Sequence, residues 1–283
     1  MTITTKQYSS SCNGALKTTI LTGFHLAIDF IVKKGGIYRS RNHSDVHGLL
    51  MAILHDSNPV MSRELHEPGT RKPWSFSLAF FDGAKPVPRS PWFHVNDGGR
   101  GRFFVNTTSP DVYAAIMEAS MARRQYRIND IVIELGDIAC NEAILRNIPP
   151  TRMVEITFRS TTFFRDHDDG EATAVLDPSL LVRFQCDAMT KLGIATIDRD
   201  RLARHVTAIQ QNTRASMGIM NKDGREVAIR GFSGTAILRC TSPDPSIQRD
   251  FSLVMASLPY TGAGSRTSIG FGHCSVRLID GRR

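Results

Sequence analysis

Cysteine is scarce in this chain and follows no pattern. Its five cysteines are scattered over 283 residues, with no Cys-x-x-Cys pair, at Cys12, Cys140, Cys186, Cys240 and Cys274. There is no His-x-x-His pair either, so the spacing argues against a zinc site. We expect the cysteines to be buried or free thiols in a reducing compartment.

Long apolar runs are also missing. The longest, at 19–32, is interrupted by polar residues, a charged residue and a glycine: Thr22, Gly23, His25 and Asp29. A membrane-spanning helix needs about 20 apolar residues, and a signal peptide needs an unbroken apolar centre. The sequence predicts neither, and we expect a cytoplasmic protein without a membrane partner.

Lysine is rare among the basic residues. Only eight of the 35 basic residues are lysines, so 27 are arginines, and the formal net charge is +8. A guanidinium group makes bidentate contacts to phosphate and stacks on bases, so an arginine-rich surface favours a polyanionic partner, of which nucleic acid is the commonest. The charge alone is also compatible with a basic protein that has no polyanionic partner.

The hydrophobic pattern of the first half predicts the order β-α-β-β-α-β. The elements are a strand at 24–32, a helix with Ser44 as N-cap that ends at Asn58-Pro59, strands at 74–81 and 100–105, a helix with Ser109 as N-cap, and a strand at 127–135. The segment "NIPPTR" at 147–152 then breaks the pattern and is the predicted domain boundary.

The same order is repeated more weakly after this break. Its elements are a strand at 154–164, a helix opened by Asp177-Pro178, strands within 215–229 around the turn "NKDG", a strand at 235–240, a helix at 245–258 and a strand at 269–278. We therefore predict an α+β protein of two tandem ferredoxin-like (RRM-like) domains. Residues 1–16 are predicted to be a flexible leader, 17–148 the N-terminal domain and 149–283 the C-terminal domain with a glycine-rich loop.

Glycine is concentrated near the end of the chain, in "TGAGSRTSIGFGHC" at 261–274. Glycines permit positive φ and allow backbone N–H groups to approach an anion, and neighbouring side chains add donors. The segment predicts a phosphate-binding loop formed by Gly262, Gly264, Ser265, Arg266, Thr267, Gly270 and Gly272. A tight turn that needs glycine only for packing is the alternative. A P-loop and a dinucleotide loop fit poorly, because a strand follows this segment and no helix begins there.

Three segments of the sequence resemble segments of one known protein family. They are the loop "GAGSRTSIGFG", the pair "HGLLMAILHDSNPVMSRELHE" and "RKPWSFSLAFF", and the strand "RGFSGTAILRC". Together they resemble the CRISPR-associated endoribonucleases of the repeat-associated (RAMP) superfamily, in its glycine loop, its first helix with the following strand, and its Gly-Phe-x-Gly strand. The resemblance implies a CRISPR repeat RNA or crRNA as partner, no cofactor and, in some members, assembly with other effector-complex subunits.

RNA cleavage without a metal needs a base for the 2′-OH proton, an acid for the departing 5′-oxygen and a cation for the phosphorane charge. Histidine suits both proton roles, and the first unit contains His43, His47, His55 and His66. By resemblance, His66 stands where family members carry a catalytic histidine, and Lys72 where some carry a lysine that stabilises the transition state. A tyrosine that some members carry in this helix falls at Met51 here, so we expect the second proton-transfer group at His47 or His55.

Two further clusters of charged residues can be interpreted most simply as solvent-exposed surface. The acidic run at 166–169 precedes a glycine and is interpreted as a turn, so we predict no metal. Arg123 and Arg124, at the end of the second helix, are candidate RNA contacts, with a solvated charged face as the alternative.

The sequence thus predicts a metal-independent endoribonuclease that cleaves CRISPR precursor RNA within its repeats and leaves 2′,3′-cyclic phosphate and 5′-hydroxyl ends. Such an enzyme also stays bound to the 3′ handle in some members of the family. The alternative is a non-catalytic subunit that holds the repeat handle. A nucleotide-binding enzyme that uses the glycine loop is the third possibility.

Overall fold

The computed structural model of the chain describes residues 21–39, 41–67, 69–145, 148–165, 172–222 and 225–279. Several sequence predictions lie wholly or partly outside these residues, namely the leader at 1–16, the acidic run at 166–169, the start of the break at 147–152 and the second half of the "NKDG" turn. None of the helices within the described ranges is long and apolar enough to cross a membrane.

The first half of the chain forms a helix-covered antiparallel sheet. Its elements are β1 (Thr22–Lys34), β2 (Gly36–Arg39), α1 (Ser44–Ser57), α2 (Pro59–His66), β3 (Trp74–Phe76), β4 (Phe80–Phe81), β5 (Lys85–Pro86), β6 (Trp92–Val95), β7 (Arg100–Thr107), α3 (Pro110–Met121), β8 (Gln125–Ile128) and β9 (Ile131–Ile144). The main sheet has the order β3-β7-β1-β9-β8. Four of its strands, β3-β7-β1-β9, therefore have the arrangement of a ferredoxin-like unit.

The second half repeats this arrangement. Its elements are β10 (Met153–Thr162), α4 (Pro178–Lys191), α5 (Arg199–Ala203), β11 (Val206–Lys222), β12 (Arg225–Cys240), α6 (Pro245–Thr261), a short 3-10 turn (Thr267–Ile269) and β13 (Cys274–Ile279). The sheet order is β11-β12-β10-β13, and every pair is antiparallel. The predicted α+β fold of two tandem ferredoxin-like units is confirmed. The domain limits at 148 and 149 stay a prediction.

Each unit has its own core between its sheet and its helices. Leu26, Ile28 and Phe30 of β1 are buried in the first core, and Val154 and Ile156 of β10 in the second. Burial of such side chains contributes about 1.5–3 kcal/mol each. The period-2 alternation that predicts the two strands is thus also the pattern that fills the two cores.

One predicted N-cap, Ser109, is confirmed and one, Ser44, is wrong, while Asp177, predicted only to open its helix, is also an N-cap. The Ser109 Oγ accepts a hydrogen bond from the Val112 N–H, and the Asp177 Oδ1 accepts one from the Ser179 N–H. Ser44 is instead the first residue of α1, whose N-cap is His43. The Ser44 hydroxyl accepts a hydrogen bond from the Asn221 N–H at the end of β11, 2.8 Å away, so a contact with the other half of the chain takes the place of capping.

Several predicted strands have different limits in the structure. The strand at 127–135 is a hairpin of β8 and β9, because Asn129 takes a positive φ of 54° and turns the chain. The strands at 215–229 and 235–240 belong to the two long strands β11 and β12. β11 begins at Val206, earlier than predicted. Its first part was missed because it is exposed and polar and carries no alternation of apolar residues. The strand at 74–81 is interrupted between β3 and β4, and the strand at 269–278 begins only at Cys274.

Candidate functional site

The glycine loop connects α6 to β13 and is tightly folded. All four of its glycines have positive φ. At Gly264, where φ is 81°, a Cβ would overlap the carbonyl oxygen of Phe163, and at Gly272 it would overlap that of Ala263. The loop therefore needs glycine both for its backbone conformation and for its packing against β10.

Most glycine amides of this loop are occupied by protein carbonyls. The N–H groups of Gly262, Gly270 and Gly272 donate to Leu258, Thr267 and Thr161, at 2.8, 3.1 and 3.0 Å. These three amides are not available to a ligand, so the glycines shape the loop. Its outer surface is formed by the exposed Arg266 and the partly buried Ser265. An RNA contact through the glycines themselves stays a prediction.

His47 binds directly to the glycine loop. Its Nδ1 lies 2.9 Å from the carbonyl oxygen of Ser268, which also accepts a hydrogen bond from Trp74 Nε1 at 3.3 Å. Because a carbonyl only accepts, the His47 contact requires a proton on Nδ1. The Nε2 atom then carries the lone pair and is the atom at which this side chain exchanges a proton.

Three of the four predicted catalytic residues lie close to one another. Burial, together with the smaller effects of the nearby Lys72 and His66 side chains, lowers the pKa of His47 to about 4, although its bond to Ser268 acts in the opposite direction. Lys72 is partly buried, and burial lowers its pKa. His66 is the exposed last residue of α2, with its Nδ1 3.3 Å from the carbonyl oxygen of Ser62. At neutral pH this group presents a neutral imidazole next to the cationic side chain of Lys72.

Other predicted residues lie elsewhere. His55 is exposed in the last turn of α1, about 12 Å farther along the helix axis than His47. Met51, at the position of the family's tyrosine, is buried in the first core. Arg123 and Arg124 form ion pairs with Asp137 and Glu118, and neither lines the cleft described next. Their proposed roles stay predictions.

A cleft of about 780 Å³ lies between the two halves beside the glycine loop. Basic residues from both halves line it, including Arg71, Lys72, Arg165, Arg183, Lys191, Arg199 and Arg266. The carboxylates among its described lining residues, Asp187 and Asp200, are paired with Arg199 and Arg183. A channel with this charge suits a polyanion.

Two residues of this site were given no role in the predicted site: His43, which was listed only as one of four histidines, and Arg71. His43, one helical turn before His47, is 1% exposed and contacts the loop residue Phe271. Arg71 donates a hydrogen bond to the Thr261 carbonyl at the end of α6, 2.9 Å away. The spacing of His43 and His47 on one helix face was the only signal in the sequence. Among the described residues, no group of three or more histidines, cysteines or carboxylates is placed to bind a metal ion.

Comparison with known proteins gives a clear result only at the level of structure. No family model and no curated protein matches the sequence. A Thermus thermophilus Cas6 product complex superposes with a TM-score of 0.67 at 18% identity, over 90% of this chain and all of the other. The chain has a Cas6-like RAMP fold.

Two further structures with the Cas6-like fold extend this result. A Cas6-related protein from Pyrococcus furiosus has a TM-score of 0.63 at 15% identity and covers 92% of this chain and all of the other. A RAMP protein described as binding different RNA substrates has a TM-score of 0.63 at 16% identity, over 91% and 100% of the two chains. The resemblance seen in three short segments therefore extends, as a fold, over nearly the whole chain.

Proposed function

We propose that this Cas6-like protein is a metal-independent endoribonuclease that cleaves CRISPR precursor RNA within its repeats. The observation that carries the proposal is the attachment of His47 to the Ser268 carbonyl. It holds a neutral imidazole against the glycine loop, with His66 and Lys72 close by. The basic cleft beside this group supports an RNA partner, as does the RNA-binding RAMP protein with the same fold.

His47 and His66 are assigned complementary roles in the proposed reaction. The His47 Nε2 accepts the proton of the ribose 2′-OH, and the 2′-oxygen attacks the adjacent phosphorus. His66 donates a proton to the departing 5′-oxygen as its bond to phosphorus breaks. Lys72 offsets the negative charge that accumulates on the phosphorane. The products are a 2′,3′-cyclic phosphate and a 5′-hydroxyl, with no metal and no cofactor.

The direct test is single-turnover cleavage of a CRISPR repeat RNA by excess protein in EDTA. Excess protein prevents slow product release from hiding the chemical step. We expect cleavage at one site, with a 2′,3′-cyclic phosphate on the upstream fragment. Cleavage that stops in EDTA and returns with magnesium would contradict the proposal.

A non-catalytic role is the second candidate. It is favoured by Met51, because the position at which some relatives carry a tyrosine is a buried apolar residue here. In this case the protein binds the repeat handle, alone or with other effector-complex subunits. RNA that is retained by the protein but stays intact in the same assay would support this role.

A further inference from the structure

Two arginines to which the proposed reaction assigns no role line the cleft beside the glycine loop. Arg71 lies in the first half, between α2 and β3, and Arg165 follows β10 in the second half. Each belongs to a different half of the chain, so the cleft has guanidinium groups on both of its sides.

Arg71 is held in place with part of its guanidinium unused. Its Nη2 donates to the Thr261 carbonyl at the C-terminus of α6, 2.9 Å away. Its Nε is buried and has no hydrogen-bond partner among the described residues. Burial lowers the pKa of Arg71 to about 10, which leaves the group charged at neutral pH.

Arg165 has the same feature on the opposite side. Its backbone N–H donates to the Ser265 Oγ at 2.9 Å, which joins it to the glycine loop. Its guanidinium carbon lies 5.9 Å from the centroid of the Phe163 ring, within the range of a cation–π contact. Its Nε is also buried and has no hydrogen-bond partner in the described part of the chain.

A buried N–H of a charged group without an acceptor is unfavourable, because it has lost its water and gained nothing in return. Two such groups line one cleft, and the carboxylates that the structure describes there, Asp187 and Asp200, already pair with Arg199 and Arg183. The missing acceptor is therefore best supplied by a ligand anion with several oxygens. A phosphodiester fits this description and matches the planar guanidinium.

We propose that Arg71 and Arg165 form a binding subsite for one backbone phosphate of the RNA, on the cleft side of the glycine loop. The inference rests on the proposed function for the identity of the ligand. Both residues act in binding and positioning, because neither is assigned a proton-transfer step. The subsite brings the two halves of the chain onto the same RNA strand.

The test uses repeat RNA that carries a 2′-deoxy substitution at the cleavage site, so that binding is measured without cleavage. In a set of these RNAs, one phosphate at a time is replaced by a neutral methylphosphonate. The proteins are wild type, Arg71→Gln, Arg165→Gln and the control Arg277→Gln, which alters an exposed arginine of β13 outside the cleft. If Arg71→Gln fails to fold because its contact with α6 is lost, Arg165→Gln still tests the proposal.

We expect Arg71→Gln and Arg165→Gln to weaken binding about tenfold or more and to lower the slope of log K against log salt by about one each. At one phosphate position, the methylphosphonate should weaken binding to the wild type but have little further effect on binding to either variant. Such non-additivity is expected when the altered phosphate and the altered arginine are in direct contact. Control-like affinities, or losses that add at every position, would overturn the subsite. A wild type that binds but does not cleave affects only the enzymatic proposal, whereas a wild type that binds no RNA overturns both.

Discussion

His43 stacks on Phe271, with ring centroids 4.2 Å apart and ring planes 23° from parallel. His43 is the N-cap of α1, and Phe271 belongs to the glycine loop. Because His47 lies one turn farther along α1, the stacked pair and the bond from His47 to Ser268 attach the same helix face to the same loop. We infer that His43 positions His47.

The stability of the protein should therefore depend on the charge of His43. Burial lowers the pKa of His43 from 6.5 to about 4. The unfolded chain thus binds more protons than the folded one between these values, and the free energy of unfolding falls as the pH decreases from 6.5 to 4. The loss is up to about 3 kcal/mol from this residue.

Urea denaturation of wild type and His43→Phe at several pH values tests this expectation. Phenylalanine keeps the stacking on Phe271 but does not titrate. The variant should lose less stability on acidification, and the remainder should come from groups such as His47, whose pKa is also lowered to about 4. Equal pH dependence of the two proteins would contradict the assignment.

Cleavage should depend on His47 and His66, whereas His55, the alternative predicted for the second proton-transfer group, should matter less because it lies about 12 Å from His47 along α1. His47→Ala and His66→Ala should each slow single-turnover cleavage by roughly 10²–10⁴-fold, the usual contribution of a positioned acid or base, while RNA binding is nearly unchanged. Lys72→Ala should have a smaller effect, because other cations line the cleft. His55→Ala, on the same helix as His47, is the matched control. A wild-type rate for His47→Ala would exclude it as the base.

Substitutions at two residues of the glycine loop should have different effects, one on RNA binding and the other on the conformation of the loop. Arg266→Ala removes an exposed side chain, so it should weaken repeat binding and lower the salt slope by about one, with a smaller loss of melting temperature than Gly264→Ala. Gly264→Ala should instead lower the melting temperature, because a Cβ would meet the Phe163 carbonyl at a positive φ. A fully stable Gly264→Ala protein would show that the loop tolerates a different conformation.

Limited proteolysis should cut first at the predicted domain boundary or in the serine-rich segment at 9–11. The structure narrows the boundary site to residues before Thr151, because Thr151 is buried and its N–H donates to the Ser252 Oγ at 2.7 Å. Mass spectrometry of the first fragments locates the cut. Early cleavage inside β1 or β13 would contradict the proposed limits of the two units.

The fold could be predicted from the sequence more completely than the candidate site. Alternating apolar residues and the caps at Ser109 and Asp177 are local signals, so most core strands and helices were predicted near their true positions. The exposed start of β11 has no such signal. The site depends on contacts such as that of His47 with Ser268, 221 residues apart, and of Arg71 with Thr261, 190 residues apart. Local patterns contain no information on pairs of this kind.

The attachment of His47 to the distant Ser268 carbonyl has a consequence for how the protein can be divided. A gene split within the break at 147–150 would encode two fragments, each with its own core, the first with the three residues of the proposed reaction and the second with the glycine loop that holds His47. Mixing the fragments would restore cleavage only to the extent that they associate. Cleavage of repeat RNA would then report on the association of any two proteins fused to the fragments, in the manner of a split enzyme sensor.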